Sequence, residues 1–137
     1  MNATRFSFVA VALVCASLGI YLVIGGREEG RLSQAHADLL AGRNAAALDE
    51  LAGLEGEAGR RAAALRGRAY RNSGRLEQAR RAFQTAVRRD PNNWVLQREY
   101  AGVLLALGER SKARSRMGRA KALNPRMPLP PGFVDAK

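Results

Sequence analysis

The feature that most constrains the fold is a pattern that recurs after 34 residues. The stretch SGRLEQARRAFQTAVRRDPNN, residues 73–93, is followed by LGERSKARSRMGRAKALNPRM, residues 107–127. In each copy a glycine precedes an alanine, a large apolar residue, a second alanine and a proline at the same spacing. These positions are Gly74, Ala79, Phe83, Ala86 and Pro91, and then Gly108, Ala113, Met117, Ala120 and Pro125. A weaker copy has Gly42, Ala47 and Leu51. The pattern predicts a repeated structural unit.

Each position of the pattern has a physical role in a pair of antiparallel helices. The glycine ends the first helix and lets the chain reverse. The small alanine allows two helices to approach closely, and the large residue one turn later fills the space between them. Proline ends the second helix because it lacks an amide donor. The repeat therefore predicts stacked helical hairpins.

The length and positions of this unit resemble the tetratricopeptide repeat. The middle unit, 60–93, matches the family best, although Ala63 and Arg66 replace its tryptophan and leucine. The third unit, 94–127, keeps most positions, and the first, 28–59, is degenerate. The signature positions of the middle unit are Gly67, Tyr70, Gly74, Ala79, Phe83, Ala86 and Pro91. The resemblance implies an all-α solenoid of about three helix-turn-helix hairpins over residues 28–127, since a lone hairpin cannot bury its apolar face.

A long apolar segment precedes the repeats. Residues 6–24 contain no charge, and about 20 apolar residues span a bilayer as a helix. After a short N-terminal tail, 1–5, we therefore expect one transmembrane signal anchor at 6–26. A cleaved signal peptide is the alternative. The resemblance is to bacterial proteins anchored in the inner membrane, and family habit alone favours a domain outside the cytoplasm.

The last ten residues, 128–137, are rich in proline and cannot form the capping helix that usually closes such arrays. One interpretation is a disordered end. The other is a tail that folds back over the last hairpin, or over that of a neighbouring molecule, and covers Leu105 and Leu107.

Charge is distributed unevenly along the repeats. The chain has a net charge of +11 and contains 20 arginines but only 3 lysines. Residues 27–59 carry 3 basic and 7 acidic side chains, a net of −4, whereas residues 60–126 carry 18 basic and 4 acidic ones, a net of +14. The arginine excess is typical of a GC-rich genome, and it is also suited to bidentate binding of carboxylates. The asymmetry predicts a one-sided electrostatic surface.

The resemblance also implies a candidate binding surface, because peptides in this family lie in the concave groove lined by the first helix of each repeat. Its predicted partner-binding residues are Arg61, Arg68, Arg71, Asn72 and Arg98. Such a groove suits an acidic or carboxylate-terminated segment. Leu32 and His36 stand where the family's chaperone-tail clamp would begin, so that specificity is not expected. A solvated charged face is the alternative interpretation of these arginines.

These features together predict a membrane-anchored scaffold or chaperone-like assembly factor that binds other proteins, with homo-oligomerisation as an option. The alternative is a charge-driven binder of anionic lipid or nucleic acid through the arginines of the second helix, Arg75, Arg80, Arg81, Arg88 and Arg89. Nucleic acid is disfavoured because few aromatic side chains are available to stack on bases.

No catalytic or cofactor motif is present in the sequence. The only histidine is His36, the only cysteine is Cys15, and no glycine-rich phosphate loop is found. We therefore expect no enzymatic activity, no metal and no cofactor.

Overall fold

Tight glycine turns divide the chain into helical hairpins. The computed structural model describes residues 22–23 and 25–133, and within this part it contains six helices and no strand. The helices are α1 (25–40), α2 (Asn44–Leu51), α3 (Gly56–Asn72), α4 (Leu76–Arg89), α5 (Trp94–Ala106) and α6 (Arg110–Leu123). They pair as α1–α2, α3–α4 and α5–α6.

The three turns inside the hairpins use the same backbone geometry. Gly42, Gly74 and Gly108 have φ angles of 74°, 72° and 79°, which residues with a side chain rarely adopt. In the second turn Gly74 N donates to Arg71 O at 3.0 Å, and Arg75 N donates to Tyr70 O at 2.8 Å. These bonds satisfy the last carbonyls of α3 and reverse the chain in a Schellman motif. The repeated glycine is therefore a conformational requirement.

The links between hairpins differ from one another. Asn93 caps α5, since its side-chain oxygen accepts from Val95 N at 3.1 Å and Leu96 N at 3.3 Å. The link before α3 is tighter, and a Cβ at Gly59 would lie 2.7 Å from Leu54 O. Helix α3 begins at Gly56, inside the segment assigned from sequence to the first unit.

The core of the middle hairpin is built around one aromatic ring. Phe83 is fully buried between α3 and α4 and packs with Ala79, Ala86 and Tyr100 of the same cluster. Three atoms of its ring lie 2.9 Å from the position that a Cβ would take at Gly67. The ring therefore fills a notch that exists only because residue 67 has no side chain.

The tail packs over the last hairpin. Met127 is 1% exposed and packs against Ala101, Met117 and Ala120, while Phe133 contacts the same cluster. Lys121 Nζ donates to Met127 O at 2.8 Å and connects the end of α6 to the residue that precedes the tail. The described part of the tail thus covers apolar surface at the C-terminal end of the array.

The prediction of a transmembrane helix at 6–26 is wrong. Within the residues that the structure describes, no helix is long and apolar enough to cross a membrane. Residues 6–21 and 24 of that prediction lie outside the described part. The predicted segment was expected to end near Gly25 and Gly26. Helix α1 instead includes both glycines and continues into the charged and polar residues of the first hairpin.

We expect Gly67→Ala to lower the free energy of unfolding by about 1–3 kcal/mol, because its methyl group would overlap the buried Phe83 ring. The matched control is Gly118→Ala in α6, where nothing lies within 4 Å of the added Cβ. That change should raise the free energy of unfolding by about 0.5–1 kcal/mol, as alanine replaces a helical glycine. Urea unfolding followed by circular dichroism measures both. A stabilised Gly67→Ala variant would show that the ring is free to move.

We expect Met127→Ala to reduce the free energy of unfolding by about 2 kcal/mol or more, because it opens a cavity under the tail. Leu129→Ala is the control, since that side chain is 39% exposed. It should change stability by less than about 0.5 kcal/mol. Equal effects of the two variants in thermal unfolding would indicate that Met127 does not contribute to the core.

Candidate partner-binding groove

A concavity of the described residues is a groove along the first helices of the array. It has a volume of about 790 Å³ and lies between α1, α3, the end of α4 and the start of α5. Its apolar lining residues are Leu32, Ala37, Leu40, Ala64, Leu65, Ala86 and Leu96. Its charged lining residues are Glu29, Glu57, Arg60, Arg61, Arg68, Arg89 and Asp90. The groove therefore combines an apolar floor with a charged rim.

Arg61 lines the groove and is paired with a carboxylate of the neighbouring hairpin. Its NH1 donates to Glu29 Oε2 at 2.5 Å and its NH2 donates to Glu29 Oε1 at 3.0 Å. Hydrogen bonding to Arg61 lowers the pKa of Glu29 below its ordinary value, and the same bond raises the pKa of Arg61. Both side chains are more than half exposed, so the pair joins α1 to α3 at the surface.

Arg68 also lines the groove, and its carboxylate partner is more buried. Its Nε donates to Glu99 Oε1 at 3.0 Å and to Oε2 at 3.1 Å, which connects α3 to α5. Arg71 lies 3.9 Å from the same carboxylate, whose side chain is only 13% exposed. Charge-assisted hydrogen bonds of this kind are strong when water is partly excluded. This cluster fixes the spacing of two consecutive first helices.

The other residues assigned to the groove from sequence lie outside its lining. Arg71 is held at Glu99, and Asn72 is the exposed last residue of α3. The guanidinium of Arg98 lies 5.2 Å from the centre of the Trp94 ring, over which it stacks. Of the five predicted contact residues, the structure places Arg61 and Arg68 in one groove.

Some arginines of the second helices do not lie where the sequence analysis placed them. Arg89, which the sequence analysis grouped with the outer face of α4, lines the groove. Arg80 binds Glu77 at 2.8 Å, and this hydrogen bond raises the pKa of Arg80. In the described part of the chain, Arg81 and Arg88 are exposed and form no ion pair.

The residues of the repeat signature occupy the hairpin interiors and turns. Tyr70 is partly buried beneath the guanidinium of Arg75, which lies 4.9 Å from the ring centre. Pro91 and Pro125 are exposed in the turns that follow α4 and α6. The buried signature residues are Gly67, Ala79, Phe83, Ala86, Ala113, Met117 and Ala120.

Two structurally important arginines were missed by the sequence analysis. Arg31 NH2 donates to Ala52 O at 2.7 Å, and Arg66 donates to the carbonyl of Leu51. Both therefore satisfy carbonyls at the C-terminal end of α2, where positive charge is favourable. The signal for Arg66 was its position, since an arginine stands where the family has leucine. The positive charge stabilises the C-terminal end of the short helix α2.

The carboxylates that pair with Arg61 and Arg68 were missed as well. Glu29 lies 32 residues before Arg61, and Glu99 lies 31 residues after Arg68. Both separations are close to one repeat length, so each pair joins successive first helices. Acidic residues at this separation were the signal that could have identified them.

The fold is that of a helical-hairpin repeat protein, with its concavity formed by first helices. A protein-family comparison agrees, since the tetratricopeptide repeat family matches residues 70–128. Residues 70–128 therefore match the tetratricopeptide repeat family, and the hairpins of the described residues have the corresponding arrangement. A comparison with curated proteins gives no significant match.

Tetratricopeptide repeats are protein–protein interaction and scaffold modules, and the family is generally not catalytic. Among the residues that the structure describes, no three histidine, cysteine, aspartate or glutamate side chains are grouped so that they could hold a metal ion.

We expect Glu99→Gln to lower the free energy of unfolding by about 1–2 kcal/mol, because Arg68 loses a charge-assisted partner that is partly shielded from water. Glu29→Gln is the control at an exposed pair, where such contacts contribute little. It should leave the unfolding midpoint unchanged. If the two variants unfold at the same urea concentration, Glu99 is not the connection that fixes α3 against α5.

Proposed function

We propose that this chain is a scaffold or assembly factor that binds a short segment of another protein in the groove between α1, α3 and α5. The segment would place apolar side chains on the groove floor and a carboxylate against its cationic rim. The observation that carries this proposal is an apolar concavity of about 790 Å³ with charged walls. Pockets of roughly 300–1,000 Å³ are typical of sites that enclose a ligand.

An exposed leucine at the edge of the groove supports the proposal. Leu40 is 81% exposed at the end of α1, although it lines the groove. Single exposed apolar residues are common on protein surfaces. An apolar side chain beside a concave apolar floor gives a partner a place to bury further apolar area.

The rim charges favour a segment that carries at least one carboxylate. Four arginines and three carboxylates line the groove, and one of these arginines, Arg89, forms no ion pair in the described part of the chain. A guanidinium can bind a carboxylate through two parallel hydrogen bonds. An acidic or C-terminal segment would therefore gain a specific contact at this site.

A charge-driven binder of anionic lipid or nucleic acid is the second candidate function. It is favoured by the exposed arginines of α4 and α6, of which Arg81, Arg88, Arg110 and Arg114 form no ion pair among the described residues. Binding of this kind should weaken steeply as salt concentration rises. Binding in an apolar groove should retain a salt-resistant part.

A pair of tryptophan variants tests the groove. The probe is a fluorescent eight-residue peptide of alternating leucine and alanine that ends in glutamate with a free carboxyl group. Ala37→Trp fills the groove from the exposed face of α1. It should weaken binding at least tenfold, because the floor is covered. Ala122→Trp, on the exposed face of α6, should bind the probe as the unchanged protein does.

Fluorescence anisotropy at 50 and 300 mM salt measures both variants. Equal affinity in Ala37→Trp and Ala122→Trp would contradict the groove. Loss of all binding at 300 mM salt, with losses on reversal of Arg81 and Arg88 to glutamate, would favour the charge-driven alternative.

A further inference from the structure

We infer that Glu29 competes with the partner's carboxylate for Arg61, so that the acidic end of the partner segment binds by displacing a carboxylate of this chain. This inference rests on the proposed function, and it names the subsite and its internal competitor. Arg61 is then the residue that binds the acidic group of the partner, and competition from Glu29 sets the affinity for that group.

The geometry of the contact is the first argument. Both terminal nitrogens of Arg61 bind both oxygens of Glu29, at 2.5 and 3.0 Å. This two-bond arrangement is the one that a guanidinium forms with any carboxylate, including a side chain or a chain terminus of a partner. Glu29 therefore occupies the donors of Arg61 that an acidic ligand in the groove would use.

Exposure decides which of the two groove arginines that bind a carboxylate of another hairpin, Arg61 or Arg68, can exchange that carboxylate. The side chains of Arg61 and Glu29 are 54% and 59% exposed, so water can replace either one as the pair opens. Exposed pairs contribute little to stability and open readily. Glu99 is 13% exposed and also lies near Arg71, so its pair with Arg68 is held more firmly. Of these two pairs, the one between Arg61 and Glu29 is therefore the one that a partner's carboxylate can open.

A second glutamate that lines the groove, Glu57, is paired with a different arginine. Glu57 forms an ion pair with Arg60 one turn along α3. It carries the same charge as Glu29 and lines the same groove, but it does not bind Arg61. Glu57→Gln is therefore a matched control, because it removes a negative charge from the groove without releasing Arg61.

The test uses the full-length chain and two peptide probes. One is the acidic leucine–alanine peptide described above. The other has glutamine in place of glutamate and an amidated C-terminus. Glu29→Gln should tighten binding of the acidic peptide about two- to fivefold, because the ligand no longer displaces a bound carboxylate. It should leave binding of the neutral peptide unchanged. Arg61→Gln should weaken only the acidic peptide.

The double variant Glu29→Gln with Arg61→Gln separates competition from general charge. Without Arg61, removal of Glu29 should have no further effect on the acidic peptide. Glu57→Gln should change its affinity less than Glu29→Gln does, since Glu57 is paired with Arg60 and its removal does not release Arg61.

Two outcomes overturn the inference in different ways. If the peptides bind but Glu29→Gln behaves as the unchanged protein or as Glu57→Gln, competition at Arg61 is wrong and the groove proposal stands. If neither peptide binds to any variant, the groove proposal itself fails, and the competition fails with it.

Discussion

The contact between Gly67 and Phe83 determines how closely the two helices of the middle hairpin approach. A fully buried ring occupies the notch left by a residue without a side chain, and the ring atoms lie 2.9 Å from where a Cβ would be. Ala64 precedes this glycine by one turn of α3, and Ala86 follows the ring by one turn of α4. Both alanines line the groove. The groove floor is therefore the outer surface of the same packed unit.

Ion pairs between successive hairpins then set the walls of the groove. Arg61 binds Glu29 on α1, and Arg68 binds Glu99 on α5, so α3 is connected to the first helix on either side. The two connections differ in exposure, which makes the one at Glu99 mainly structural and the one at Glu29 exchangeable. Two ion pairs with nearly the same separation in sequence thus differ in role: the pair at Glu99 is fixed, and the pair at Glu29 leaves Arg61 accessible.

The sequence was sufficient for the hairpins because their requirements are local. A glycine with positive φ, an alanine at a close approach and a proline after the second helix can each be recognised from spacing alone. The tetratricopeptide prediction is confirmed by the family match over 70–128. The transmembrane element was wrong, since no helix of the described residues is long and apolar enough to cross a membrane. The length of the uncharged run, on which that prediction depended, did not reveal that α1 continues through the glycine pair at 25–26.

The binding site was less accessible to sequence reasoning because it depends on contacts between repeats. The family resemblance assigned Arg61, Arg68 and Arg71 to one binding surface, yet it carried no information on the carboxylates that pair with them. Arg98 was assigned from the groove geometry of the family, but its guanidinium stacks on the ring of Trp94, one turn earlier in α5. Local neighbours of this kind differ between repeats even where the backbone pattern is the same.

The most direct test of the account is a titration of the ¹⁵N-labelled chain with the acidic leucine–alanine peptide, followed by NMR. Binding in the groove predicts saturable shifts of amide signals in α1, in α3 and in residues 86–96, with α6 largely unchanged. Shifts that are largest on the outer faces of α4 and α6 would contradict the groove as the binding surface of this protein.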